Sequence, residues 1–369
     1  MHGDRQLIQV VPRMTPIRCG VSDGALLIAG ELEAGFGIKS AIVALSSSER
    51  PSLRFPIVYC APEELLDACL SLSGGRNGHL LVHLSGYGYS PDGAPALLAD
   101  ALEKVRLDGR FHVAVFFHEL FASGMPWRSA FWYSQRQKKA IRRIAEACDL
   151  AIANTRGYVD WLERETTRRS ALPIRYMPVF SQVGEAQQPA PVIQRDPVVV
   201  VFGQSATRQR AYRKLTALKR TLRRLAIREI LDIGPECDAP PKLGGISVRR
   251  LGMLAGQDVA KQLSQTMFGF FPYPAVCLAK SGVFAAYCAH GVIPIVARQF
   301  SGEVDGLKDG AHVLSSRTAK TSSSSDLEMC AAAAWRWYSG HRLHDHGAIY
   351  ARWLREIQSG FPAIDGENE

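Results

Sequence analysis

The chain has 369 residues and a mass of 40.5 kDa, with 47% hydrophobic and 21% charged residues. That length suits about two domains of ~150 residues each, and its ordinary Gly and Pro usage and high apolar content exclude collagen-like, low-complexity and disordered chains. Lys and Arg number 44 against 35 Asp and Glu, leaving a net +9 whose location along the chain matters. In chain order, strands are predicted near Leu7–Pro12, Leu80–Leu84, His112–Phe117 and Leu150–Ala153, and helices near Gly37–Ser46, Pro62–Leu72, Pro95–Lys104 and Ser134–Cys148. The stretch Ser181–Pro197, polar and proline-bearing, reads as a linker. A second series opens with VVVVFG (Val198–Gly203), a run typical of a strand buried on both faces. A long helix is predicted next, with Tyr212, Leu215, Leu218, Leu222 and Leu225 at helical spacing. Further strands are expected at Glu229–Ile233, Ser247–Leu251, Gly269–Tyr273 and Ile293–Ala297. The serine tract Ser315–Asp326 reads as a mobile loop, and Ala331–Ile357 as helix carrying Trp335, Trp337 and Tyr338.

The start, MHGDRQLIQVVPRM, lacks the pattern of a secretory signal, and no run reaches ~18 consecutive apolar residues, so no transmembrane helix is expected. Eight cysteines without a C-x-x-C pair read as buried thiols in a reducing cytoplasm, with metal ligation and a disulfide framework disfavoured. Alternating short apolar runs and helical patterns argue for parallel α/β units in two lobes, where ligands sit beyond the carboxyl ends of the strands and a central cleft is the default site.

The charge is concentrated. Arg208, Arg210, Arg213, Lys214, Lys219, Arg220, Arg223, Arg224 and Arg228 precede the first acid, Glu229. Arg128, Arg136, Lys138, Lys139, Arg142 and Arg143 form a second acid-free cluster, interleaved with Trp127, Phe131, Trp132 and Tyr133. Solvated helix faces account for most of such side chains. For the rest, phosphate is the favoured partner of the first basic residues of the long helix, which follow a buried strand. A peripheral contact with an anionic membrane or acidic acceptor is the favoured reading of Arg128–Arg143. Nucleic acid is disfavoured, because no nucleic-acid module accompanies the charge.

No P-loop, G-x-S-x-G or H-E-x-x-H motif is present, and Gly35–Gly37 (GFG) and Gly86–Gly88 (GYG) are weak phosphate-loop signals. The segment LGMLAGQDVAKQLSQTMFGFFPYPAVCLAKSGVFAAYCAHGVIPIVA is more specific. In it, Gly252, Leu254, Tyr273, Pro274, Ser281, Gly282, Ala289, Gly291, Pro294 and Ala297 follow a pattern that resembles the nucleotide-sugar lobe of family-4-type glycosyltransferases with the two-Rossmann, B-type fold. Small Ser281 and Gly282 at a helix start let backbone N–H groups approach a diphosphate, with Lys280 beside them as a point charge. VVVVFGQSATRQR is similar to the first strand and phosphate-side loop of that lobe, which makes Gly203, Arg208, Arg210 and Lys214 candidates. In the first half, VHLSGYGYSPDGAPALLADAL, VFFHELFASG and CDLAIANTRGYVDWL are similar to the acceptor lobe. The resemblance implies that His118 faces the donor sugar and that the loop Gly35–Gly37 approaches the diphosphate. The chain departs from the family at its paired glutamates, where Leu278 and Ala286 stand instead.

The resemblance implies a fold of two Rossmann-like domains facing a central cleft: residues 1–180 as acceptor domain, 181–197 as linker, 198–335 as nucleotide-sugar domain, and 336–369 as helices crossing back onto the first. The expected function is a hexosyltransferase-type glycosyltransferase, metal-independent, retaining by resemblance only, with a nucleotide-diphosphate sugar as co-substrate and no cofactor. The acceptor would be a carbohydrate, a lipid-linked molecule or a small molecule. His118, Arg208 and Lys280 are the expected catalytic set, and Arg208→Ala is expected to weaken diphosphate binding without disturbing the fold. Location would be cytoplasmic, with peripheral contact at the inner face of the membrane. The rival reading is a non-catalytic glycosyltransferase-like protein that docks through its basic faces on membrane, polysaccharide or nucleic acid.

Overall fold

A computed structural model describes residues 6–14, 20–45, 54–122, 129–166 and 172–358, the side chains of 129–132 and 357–358 excepted. The chain divides into two compact units, Met1–Pro178 with Leu343–Glu369, and Val179–Arg342.

The first unit runs β1 (Gln6–Val11), α1 (Gly20–Phe36), β2 (Lys39–Ala44), β3 (Ile57–Tyr59), α2 (Leu65–Ser73), β4 (Gly78–Ser85), α3 (Gly86–Tyr89), α4 (Ala96–Asp108), β5 (Phe111–Glu119), α5 (Ser129–Ala147), β6 (Leu150–Ala153), α6 (Arg156–Glu165) and β7 (Ile174–Tyr176). Its seven strands are all parallel, in the order β3-β2-β1-β4-β5-β6-β7. Alternation along the strands sends Ile8, Val10, Leu80, Val82, Val113 and Val115 to one face, where they pack on Leu65, Leu98, Leu102, Ile141 and Ile144 of α2, α4 and α5. The opposite face carries Gln9, His79 and His83, an unusually polar set for a buried sheet.

The second unit contains β8 (Asp196–Phe202), α7 (Ser205–Leu215), α8 (Lys219–Arg224), β9 (Glu229–Ile233), β10 (Lys242–Leu243), β11 (Ile246–Gly252), α9 (Gly256–Gln265), β12 (Thr266–Phe271), α10 (Gly282–Ala289), β13 (Ile293–Val296) and α11 (Ser324–Tyr338). Its strand order is β10-β11-β9-β8-β12-β13, parallel except for the β10–β11 hairpin. The last helix, α12 (Leu343–Gln358), belongs to the first unit and packs against α1. No helix among the described residues is long and apolar enough to cross a membrane.

Five local expectations are corrected. The predicted helix at Gly37–Ser46 is the buried strand β2, because Ile42 and Val43 sit in a short run paired on both sides by β1 and β3. α1 falls where no element was expected, its buried face built from Gly24, Ala25, Ile28, Ala29 and Leu32. The long basic helix is broken into α7, a 3-10 turn and α8. The stretch 181–197 is not a free linker: Ser181, Val183, Val192 and Arg195 are buried in the second unit, and the Arg195 guanidinium donates to the carbonyls of Ala190, His290 and Gly291. The serine tract is ordered by local bonds, with Ser315 buried and Ser323 capping α11 through a reciprocal bond with Asp326.

Candidate functional site

In an open parallel sheet the ligand crevice lies where the chain reverses direction across the sheet, outside the carboxyl ends of the strands. In the second unit this point lies between β8 and β12, since β9 and β11 continue to one side of β8 and β12 begins the other. Gly203 ends β8 with φ +124°, and a Cβ there would come within 3.2 Å of Val283 Cγ2, so the strand end abuts the first turn of α10. That helix is capped by Ser281, whose Oγ accepts from the Phe284 N–H at 3.3 Å. The first N–H groups of the helix keep no intrahelical partner, which favours an anion at this end. Gly282 leaves open space where a side chain would stand, and Lys280 is half-buried in the preceding turn.

Tyr273 follows β12 and joins the two strand ends. Its hydroxyl lies 3.0 Å from Thr207 Oγ1, and the Arg210 guanidinium stacks 4.8 Å from its ring centroid. Lys214, one turn further along α7, donates to the Pro272 carbonyl at 2.5 Å. Burial, then the nearby Arg298 and Arg210, hold the Lys214 ammonium below its usual range. Arg210 and Lys214 therefore both sit at the end of β12, with Arg298 near enough to Lys214 to depress its ammonium. Arg298 and Thr207 were missed in the sequence, because nothing in the local pattern shows that the chain after β13 comes near Lys214 or that Thr207 meets Tyr273. Among the described residues no group of three His, Cys, Asp or Glu is placed to hold a metal ion.

Other candidates lie elsewhere. Arg208 points into the core: it is 1% exposed, pairs through Nη1 with Asp232 and donates through Nε to the Gly203 carbonyl at 3.0 Å. Tyr212 donates to the other Asp232 oxygen, and burial, then the same carboxylate, raises its hydroxyl pKa. A guanidinium spent on a buried carboxylate is no free phosphate ligand, so the expectation for Arg208 is corrected to a structural role. The signal available was the acid inside the apolar strand EILDI, which requires a buried counter-charge. Gly252, at the end of β11, stands two strands from β8 along the same edge. Leu278 and Ala286 are both buried in the core.

Gly35 and Gly37 are also displaced from the expected role. Gly35 lies in the last turn of α1, Gly37 follows it, and Phe36 stacks on His344 of α12. A helix between parallel strands runs back toward their amino ends, so this GFG marks the edge of the sheet opposite the ligand crevice. The loop at the crevice of the first unit is GYG. Gly88 fits there because a Cβ would meet Pro12 Cγ at 2.8 Å, which seats α3 against the end of β1. Buried Gln137 of α5 ties this loop down, donating to the Tyr87 hydroxyl and the Asp92 carbonyl and accepting from the Ala122 N–H at 2.7 Å. Gln137→Leu removes all three bonds, including those to the Ala122 N–H and the Asp92 carbonyl, and is expected to cost about 1–3 kcal/mol. Chemical denaturation would measure the loss, and faster proteolysis within 86–94 than elsewhere would locate it; an unchanged midpoint would refute the role.

At the end of β5, His118 lies 3.3 Å through Nε2 from His83 Nδ1, and its ring packs 4.2 Å from that of Phe116. Burial pushes the His118 imidazole down to about 4. His83 sits well below its usual value for the same reason, aided by His118 and His346. Both rings are neutral at pH 7.

The two basic segments differ. Arg142 pairs with Glu165, Arg143 with Asp100 and Glu103, and Lys138 lies 4.8 Å over the Phe121 ring. Acids from α4 and α6 thus neutralise a segment that is acid-free in sequence, which weakens its reading as a membrane face. Arg128 and the side chains of Trp127, Phe131 and Trp132 lie outside the described residues. Arg213, Lys219, Arg220, Arg223, Arg224 and Arg228 are exposed in the second unit, with no ion pair among the described residues.

No protein-family model matches this sequence, and no curated protein matches it. Solved structures do. An alpha-glucosyltransferase in complex with UDP and a 13-mer DNA containing a HMU base matches with TM-score 0.60 and 12% identity, over 96% of this chain and 99% of that one. The alpha,alpha-trehalose 6-phosphate synthase from Burkholderia multivorans matches with TM-score 0.59 and 11% identity, over 97% and 98% of the respective chains. A glycosyltransferase involved in lipopolysaccharide biosynthesis matches with TM-score 0.57 and 11% identity, over 96% and 100%. Such identities carry the architecture and not the activity. The chain therefore has the fold of the B-type glycosyltransferases, two Rossmann-like units with the last helix returned to the first.

Proposed function

We propose that this chain is a divergent family-4-type glycosyltransferase that moves a sugar from a nucleotide-diphosphate donor to an acceptor hydroxyl. The reading is supported by Arg210 and Lys214 at the end of β12, with Arg298 near Lys214, and by the Ser281-capped start of α10 on the same side of the second unit's sheet. In the reaction the bond from the anomeric carbon to the β-phosphate oxygen breaks, and a bond to the acceptor oxygen forms. On the retaining course the acceptor proton passes to the departing diphosphate. Charge grows on that leaving group, and fixed cations with oriented N–H groups stabilise it by roughly several kcal/mol. Lys280, Ser281 and Gly282 join this set; His118, at the end of β5 in the first unit, is the proposed contact for a sugar hydroxyl. Arg208 supports the crevice from beneath through Asp232. With Leu278 and Ala286 buried where the family carries glutamates, the ribose is held by other groups.

UDP, the other nucleoside diphosphates and their sugar conjugates are expected to raise the thermal midpoint, with stabilisation of ~2.7 kcal/mol at a hundredfold excess over Kd. Arg210→Ala and Lys214→Ala each weaken diphosphate binding by roughly tenfold or more, the value of one charged hydrogen bond, and leave the binding of an uncharged nucleoside unchanged. Binding without turnover of any nucleotide sugar would point instead to the non-catalytic docking protein. No shift with any nucleotide would remove the reading altogether.

A further inference from the structure

The polar face of the first sheet contains an ordered hydrogen-bond series that ends at His118. Gln9 on β1 and His83 on β4 are 0% and 1% exposed, and His83 Nε2 lies 2.9 Å from Gln9 Oε1. His83 Nδ1 in turn lies 3.3 Å from His118 Nε2. His118 owes its placement to a bulge: Leu84 pairs with Phe117 and Ser85 with Glu119, so His118 stands opposite no residue of β4. Bulges re-aim a side chain at the end of a strand. The Phe116 ring and a 3.0 Å bond from Asn154 Nδ2 to the His118 carbonyl fix the ring and the backbone.

With its carboxamide oxygen turned toward His83, Gln9 sets the direction of every bond. A carboxamide oxygen only accepts, so His83 Nε2 carries its proton and donates to Gln9. A neutral imidazole has one N–H, so His83 Nδ1 offers a lone pair and His118 Nε2 must donate to it. His118 Nδ1 is then left with a lone pair, and it is bonded to no group among the described residues. We propose that Gln9 and His83 are positioning residues that hold His118 with Nδ1 as a hydrogen-bond acceptor, so that this point takes the O–H of a sugar hydroxyl. Phosphate, carboxylate and carbonyl oxygens are refused there, since each would set lone pair against lone pair. The ligand assignment rests on the glycosyltransferase reading; the proton arrangement does not.

The test uses the full chain with 15N-labelled histidine. Long-range proton–nitrogen correlation at pH 7.5 is expected to show both His83 and His118 protonated on Nε2. His83→Phe keeps the ring volume and removes the acceptor, so His118 should become a mixture of tautomers. Gln9→Leu should scramble the series, and Gln9→Glu, which still accepts, should preserve it. In turnover of a nucleotide sugar, His83→Phe and Gln9→Leu are expected to lower kcat roughly tenfold or more with KM for the donor within about twofold. Gln9→Glu should restore most of the loss. Wild-type His118 protonated on Nδ1, or unchanged in His83→Phe, would overturn the proposal. If His83→Phe fails to fold, the contrast between Gln9→Leu and Gln9→Glu decides the same point. A wild-type chain with the expected tautomers that turns over no nucleotide sugar would remove the hydroxyl assignment and leave the proton arrangement standing.

Discussion

Asp232→Asn is expected to destabilise the second unit by about 3–5 kcal/mol, because it keeps the volume of the side chain and removes the only carboxylate paired with Arg208 among the described residues. An arginine cannot shed its charge to relieve burial. Its guanidinium would remain at 1% exposure with carbonyl and amide partners alone. Such a loss is a large share of a typical domain stability of ~5–15 kcal/mol, and it lowers the melting temperature by about 10 °C. Arg208→Ala should be comparably severe, as it leaves Asp232 buried with Tyr212 alone. The double variant Arg208→Met with Asp232→Leu should recover much of the loss, since an apolar pair of similar size needs no counter-charge. Urea denaturation of the single and double variants measures this. Additive losses, with no recovery in the double variant, would show that the pair is not coupled.

Acidification is expected to open the first unit before the second. His79, His83 and His346 are buried in it and His118 is half-buried at the end of β5, all with depressed basicity, at about 4 for His79 and His118 and about 3 for His346, in each case chiefly through desolvation. The sign follows from linkage. The unfolded chain takes up these protons near pH 6.5 and the folded chain only near pH 4 or below, so stability is full above about pH 6.5 and declines as the pH falls from there to 4. His79 and His118 each contribute up to roughly 3 kcal/mol over that range, and mutual repulsion among His83, His118 and His346 makes the later protons costlier.

α12 is the element most exposed to this loss. His346 lies on it and donates to the Pro178 carbonyl at 2.9 Å, and Trp353 packs edge-on to His79. Limited proteolysis at pH 7.5 and pH 5 should show new cleavage confined to residues 6–178 and 343–358. His346→Gln should flatten the pH dependence. A denaturation midpoint independent of pH between 7.5 and 4.5 would refute this account.

Strands whose two faces are both buried were legible because burial on both sides demands unbroken apolar runs, as in VVVVFG, and β9 appeared at its predicted residues. α1 was not legible: its contact face is made of small residues, and Gly24, Ala25 and Ala29 leave no strong apolar period. β2 was misread because a six-residue run carries no period long enough to separate strand from helix. At the candidate site the sequence marked Arg208 and Arg210 alike as phosphate candidates, with nothing to say which way each points. Arg208 and Arg210 are two positions apart on one helix, so one turns inward to Asp232 and the other outward over Tyr273.

The +9 itself divides in the same way. Alternation of apolar runs and amphipathic helices was sufficient for two parallel α/β units, since that pattern can bury its surface in few other arrangements. The counting of charges located two basic segments. Only the packing of α5 against α4 and α6 decided that Arg142 and Arg143 meet acids distant in sequence, while α7 and α8 keep an unpaired basic surface. Electrostatic pairing depends on distance in space, and charges separated by some forty positions become neighbours only when the helices that carry them pack.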